Sequence, residues 1–137
     1  MAKSSTQNPT RLIWLTLLTS QIIYVVVGLT QSGAAGTSLS NERIFPIILG
    51  VVAIVTGGAA HFLWRRATGS SLPIHQAKRQ TPQQAFIFFL LAWVLDESIA
   101  IYGLVLALLG LPASIWLAFS GGGAALLLLH RPVGPPA

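Results

Sequence analysis

Cysteine is absent from the 137-residue chain, methionine occurs once, and charged residues make up only 8% of it. Without cysteine there is no disulfide framework and no thiolate metal site. A soluble domain carries about 25% charged residues, so this chain cannot clothe a water-facing surface of ordinary size. Acids are the scarcest charge: there are three, Glu42, Asp96 and Glu97. No Ser/His/Asp set, phosphate-binding loop or metal-ligand cluster stands out. No cofactor, no metal and no catalytic residue is therefore expected.

What is present is hydrocarbon. The sequence is 53% hydrophobic with a mean hydropathy of +0.72. Apolar runs extend from Leu12 to Leu29, Ile44 to Trp64, Ala85 to Leu109 and Ala113 to Leu129. Each has about 17–25 residues, the length needed to cross about 30 Å of hydrocarbon at about 1.5 Å per residue. The expected fold is all-α, a single transmembrane domain forming an integral membrane four-helix bundle. Its helices are placed at about 12–29, 44–64, 82–109 and 112–130, with a disordered tail at 132–137. The first run is expected to remain as a helix rather than be cleaved as a signal peptide, because it is long and carries Gln21 in its middle.

Basic residues give the topology. Lys3 and Arg11 precede the first run, Arg65, Arg66, Lys78 and Arg79 lie between the second and third, and Arg131 follows the fourth. Four spans put these seven on one side and leave only Arg43 on the other. That asymmetry places both termini in the cytoplasm, as expected for a bacterial inner membrane protein. The basic central loop reads as the topology signal itself and not as a nucleic-acid site.

Local punctuation is clear. Asn41 is suited to cap the second helix, with Pro46 in its first turn. Thr81-Pro82-Gln83-Gln84 has the form of a capping box with proline at the first helical position. Gly110 and Pro112 end the third helix and start the fourth, giving a tight hairpin. Trp14 and Trp64 fall near the inner interface and Trp116 near the outer, as in an aromatic belt. Trp93 lies deeper and suits a protein contact.

The third run carries a stripe of Ala92, Asp96, Ala100, Gly103, Ala107 and Gly110, spaced so that all share one helical face. Small residues let membrane helices approach closely. Glu97 is rotated by about 100° from Asp96. Both acids fall near mid-bilayer, where an ionised carboxylate costs at least about 2.5–3.5 kcal/mol. At least one is expected to be uncharged at neutral pH, and such a group suits proton or sodium carriage. Its alternative role is as hydrogen-bonding glue between helices.

Other helices offer polar groups at a similar depth, about 14–16 Å from the inner boundary: Ser20, Gln21, Thr56 and Ser120. One polar layer around both acids is the expectation. Gly50, Ala53, Gly57 and Ala60 in the second helix, and Gly121, Gly122 and Gly123 in the fourth, read as close-packing surfaces. His61 and His130 lie near inner helix ends. As a pair they could ligate haem, and His61 alone could touch a quinone, but neither spacing nor composition supports it. His130 beside Arg131 reads most simply as an interfacial residue.

The run from Glu97 to Leu108, Glu-Ser-Ile-Ala-Ile-Tyr-Gly-Leu-Val-Leu-Ala-Leu, resembles the carboxylate helix of the proteolipid c subunit of rotary F- and V-type ATPases. The upstream Lys78-Arg79-Gln80-Thr81-Pro82 is similar to the polar loop of that family. The resemblance covers about residues 78–109. It implies that Glu97 carries the ion, that Tyr102 is a nearby structural residue, and that the chain handles protons or sodium. Two functional expectations follow. One is an ion-handling membrane protein using Glu97 with Asp96, supported by Ser20, Gln21, Thr56, Tyr102 and Ser120. The other is a non-transporting accessory subunit of a larger membrane complex. In either case the partners expected are the lipid bilayer and further subunits, as a homo-oligomer or a mixed assembly.

Overall fold

The computed structural model describes residues 9–31, 44–69 and 81–132. The expectations for Lys3, Asn41, Arg43, Lys78, Arg79 and residues 133–137 lie outside them. The chain forms α1 (Pro9–Gln31), α2 (Ile44–Ala67), α3 (Pro82–Leu108) and α4 (Ala113–Leu129), with no strand among the described residues. The helices overrun their apolar runs where polar ends can reach water. α1 begins three residues earlier, on Pro9, and α2 continues through Arg65 and Arg66 to Ala67.

α1, α2 and α3 are long and apolar enough to cross a membrane, and α4 is a shorter apolar helix of 17 residues. Large side chains such as Ile22, Ile47, Ile54 and Val55 lie 62%, 65%, 76% and 68% exposed on the outside. In water such a surface would be unstable, and in lipid it is the matching one. The protein is an integral membrane protein.

α3 is the hub. It packs against all three other helices, α4 also meets α1, and α4 touches α2 narrowly. The paired α3 and α4 thus form the centre, with α1 and α2 on its two sides. Nine α3 residues are buried, against two in α1, one in α2 and four in α4.

The ends of α3 follow the sequence closely. Thr81 accepts from Gln84 N at 3.3 Å, Gln84 Oε1 accepts from Thr81 N at 3.3 Å, and Pro82 follows the cap. At the other end Gly110 adopts φ +76°, a conformation that costs glycine little. Gly110 N donates to Ala107 O and Leu111 N to Leu106 O, the paired bonds of a Schellman motif. Leu106 and Leu111 pack together in the core with Ala107 and Trp116. Pro112 lies outside α4 as its cap, one residue earlier than its expected role as the first helical residue; its carbonyl accepts from Ile115 N and Trp116 N.

The small stripe of α3 meets a matching stripe on α4: Trp116, Ser120, Gly123 and Leu127. A Cβ added at Gly103 would come within 2.5 Å of Ser120 Oγ and 2.7 Å of Trp116 O. One added at Gly123 would lie 2.9 Å from Ala100 N and 3.0 Å from Asp96 O. These two glycines allow backbone-to-side-chain contact across the pair. Gly57 meets Leu126 and Ile99, and Gly50 meets only the edge of Phe119. Gly121 and Gly122 face open space, so the packing role expected of all three α4 glycines belongs to Gly123 alone. A helix has only one face toward its partner, and consecutive residues cannot share it.

Candidate functional site

The two adjacent acids point into different neighbourhoods. Asp96 is fully buried and Glu97 7% exposed. Among the described residues, no lysine or arginine pairs with either one. Asp96 faces the C-terminal end of α4, where His130 Nδ1 lies 2.7 Å from its Oδ2. Glu97 faces α1, where its carboxyl bonds Ser20 Oγ and accepts from Gln21 Nε2 at 3.3 Å. The Tyr24 hydroxyl lies beside Glu97 and Ser20. The rotation of about 100° between successive helical residues produces this division.

The expected single polar layer is therefore two separate sites. Ser20 and Gln21 belong to the Glu97 site. Thr56 is half-buried in α2 and bonds neither acid. Ser120 bonds its own helix at Trp116 O, 3.2 Å away, and packs on Gly103, two turns of α3 beyond Asp96. Tyr102 is half-buried and likewise bonds neither acid. Ala92, Ala100 and Ala107 are fully buried on the packing face, as expected. Thr16, Thr19, Thr30 and Ser98 return their hydroxyls to carbonyls of their own helices, the ordinary arrangement in lipid.

His130 departs most from expectation. It is fully buried, not interfacial. It caps α4, and its own carbonyl accepts from Trp93 Nε1 at 2.7 Å, which locks the residue onto α3. Its second ring nitrogen, Nε2, lies 3.3 Å from His61 Nδ1 on α2. Both ring nitrogens of His130 are thus engaged, one by Asp96 and one by His61. The rings of His61, Trp64 and His130 gather at this corner with centroids 5.4–6.0 Å apart. His61 itself is exposed, four residues before Arg65.

The tryptophans are more internal than a belt would place them. Trp116 is fully buried against Gly28 and Ala107. Trp14 donates to Leu127 O at 2.9 Å and ties α1 to α4. Trp93 is in a protein contact, as its depth implied.

The hydrogen-bond frames permit two proton arrangements each. Ser20 Oγ has one proton and lies near two acceptors, Leu17 O at 2.7 Å and Glu97 Oε1. With Glu97 ionised, the hydroxyl donates to the carboxylate and leaves Leu17 O. With Glu97 protonated, the acid donates to Ser20 Oγ and the hydroxyl donates to Leu17 O. At the other site, His130 Nδ1–H donates to an Asp96 carboxylate, or a protonated Asp96 donates to a bare Nδ1. Neither exchange requires a heavy atom to move.

Sequence reasoning misplaced His130 as interfacial and missed Tyr24, though signals for both exist. The buried α4 positions 116, 120, 123 and 127 continue at helical spacing to 130. Tyr24 stands four residues after Ser20, on the same face of α1. Against this geometry, comparison with known proteins adds no identity: no protein-family model, curated protein or solved structure matches the chain.

Proposed function

We propose that the protein handles protons within the membrane through the carboxyls of Glu97 and Asp96 on α3. The observation that carries this reading is the pair of hydrogen-bond frames. Each holds a buried acid, without a lysine or arginine partner, in a setting that accepts both its charged and its neutral form. A carboxyl kept only as structural glue needs one proton arrangement, whereas a carrier needs two with little reorganisation between them. The resemblance of residues 97–108 to the carboxylate helix of c subunits points to the same chemistry. The basic residues favour an orientation with both termini in the cytoplasm of a bacterial cell. In that orientation His61 and His130 lie toward the cytoplasmic face. The exposed apolar flanks of α1 and α2 suit lipid and further subunits.

The second reading, an accessory subunit fastened by these acids, has its own support: Glu97 bonds α1 to α3, and Asp96 bonds α4 to α3. One experiment separates the two. The purified protein in liposomes is treated with a hydrophobic carbodiimide, which attacks protonated carboxyls, across a range of pH. Selective labelling of Glu97 with loss of proton flux is the carrier's result. If Glu97→Gln with Asp96→Asn leaves function intact but releases the protein from a complex, the carrier reading fails.

A further inference from the structure

Proton handling at Asp96 needs a route to water, because Asp96 and His130 are both fully buried. We propose that His130 and His61 form a proton relay connecting Asp96 to the aqueous face next to Arg65 and Arg66, with His61 as its outer terminal. This rests on the proton-handling reading above and adds to it the port through which Asp96 is loaded.

The geometry is a continuous line of polar atoms from three helices. Asp96 Oδ2 lies 2.7 Å from His130 Nδ1, and His130 Nε2 lies 3.3 Å from His61 Nδ1. His61 Nε2 is the remaining atom of the line, on a residue that is exposed. Imidazole suits this role because one ring nitrogen can accept a proton while the other releases one. Among the described residues, the ionisable groups facing His130 are Asp96 from α3 and His61 from α2. α1 brings the non-titrating Trp14 to the neighbouring turn of α4, and Arg131 follows the α4 cap, exposed. Trp93 holds the His130 backbone and Trp64 stacks on His61, so both rings are kept in place.

The steps balance without any further reactant. At the start Asp96 is a carboxylate, His130 carries its proton on Nδ1 and His61 carries its proton on Nδ1. A proton from water binds His61 Nε2. The Nδ1 proton of His61 passes to His130 Nε2, and the Nδ1 proton of His130 passes to Asp96 Oδ2. One proton has entered, Asp96 is neutral, and both imidazoles are neutral with their protons on Nε2. The reverse sequence discharges Asp96 to the same side. The relay is therefore a one-sided port, since further loading from this side requires discharge or a tautomer reset of both rings.

The test uses the full chain in liposomes under an imposed pH gradient. His61 is exposed, so His61→Ala should fold. It is expected to slow proton flux by about tenfold or more, and free imidazole in the bath is expected to restore most of that loss. His130→Gln is expected to slow flux similarly, but without rescue, because the site is closed to the bath. Wild-type flux that His61→Ala leaves unchanged overturns the relay while leaving proton handling in place. So does a loss in His61→Ala that imidazole does not repair. A wild-type protein that carries no protons overturns the underlying reading and the relay with it.

Discussion

The two faces of α3 solve the same problem in different ways. On one face Asp96 meets a base, His130, which in turn meets His61 near the end of the bundle. On the other, Glu97 meets a hydroxyl and an amide from α1, Ser20 and Gln21. The first acid is attached to groups that can take up and pass a proton. The second is attached to a hydroxyl and an amide that reorient around a proton, with the Tyr24 phenol beside them and no imidazole among its partners in the described residues. Neighbouring positions in the sequence thus have different chemical prospects, and the difference arises from helical rotation and from what α1 and α4 present. A buried carboxyl is defined as much by its partner's proton capacity as by its own burial.

The largest effect is expected where this comparison is broken sterically on the Asp96 face. Gly123→Val forces a side chain against Ala100 N and Asp96 O, backbone atoms that cannot swing aside. A loss of about 3 kcal/mol is expected, measured by denaturant unfolding in detergent. The hydrogen bond between Asp96 and His130 should break, while the one between Glu97 and Ser20 should survive. Gly121→Ala is its control. Nothing lies within 4 Å of that position, so the outcome is neutral or stabilising by up to about 1 kcal/mol.

Asp96→Ala comes next. It leaves the buried Nδ1 of His130 without its partner, at a cost of about 1–3 kcal/mol. Histidine NMR resonances should change at His130 more than at His61. On the opposite face, Ser20→Ala and Gln21→Leu are each expected to cost about 1 kcal/mol and to loosen α1 from α3. A double-mutant cycle with Glu97→Gln should show coupling for both, and none between Glu97→Gln and Thr56→Val. The smallest effect belongs to Thr81→Ala. Loss of its cap costs about 1 kcal/mol or less at the exposed start of α3 and leaves both acids undisturbed.

Much of the architecture was legible in the sequence because lipid imposes simple rules. Apolar length located the helices, and Thr81, Gln84 and Gly110 marked the ends of α3 through local backbone chemistry. Of the α3 stripe, Ala92, Asp96, Ala100, Gly103 and Ala107 are buried on one face, since periodicity determines which residues share it, whereas Gly110 lies past the helix end and is exposed. The site was legible only in part. Ser20 and Gln21 were found from their depth, because α1 lies alongside α3 with their levels matched. Depth failed for Ser120, which lies two turns of α3 away from Asp96, and for Thr56, which bonds neither acid. His130 was misjudged because its place at a helix end resembled an interface. A helix of 17 residues ends short of a full span, so its cap residue remains inside the protein. Trp116 was misread for a related reason: depth does not reveal whether a side chain points to lipid or to a glycine-lined groove such as that at Gly28.

Infrared difference spectroscopy of the carboxyl stretch, recorded across pH on wild type, Asp96→Asn and Glu97→Gln in lipid, is the most direct test of two separate proton-exchanging acids on one helix. Two carboxyl signals that respond to pH are predicted in the wild type, each removed by its own substitution while the other persists. Carboxyls that stay ionised at every pH, or a single signal abolished by either substitution, would contradict the account.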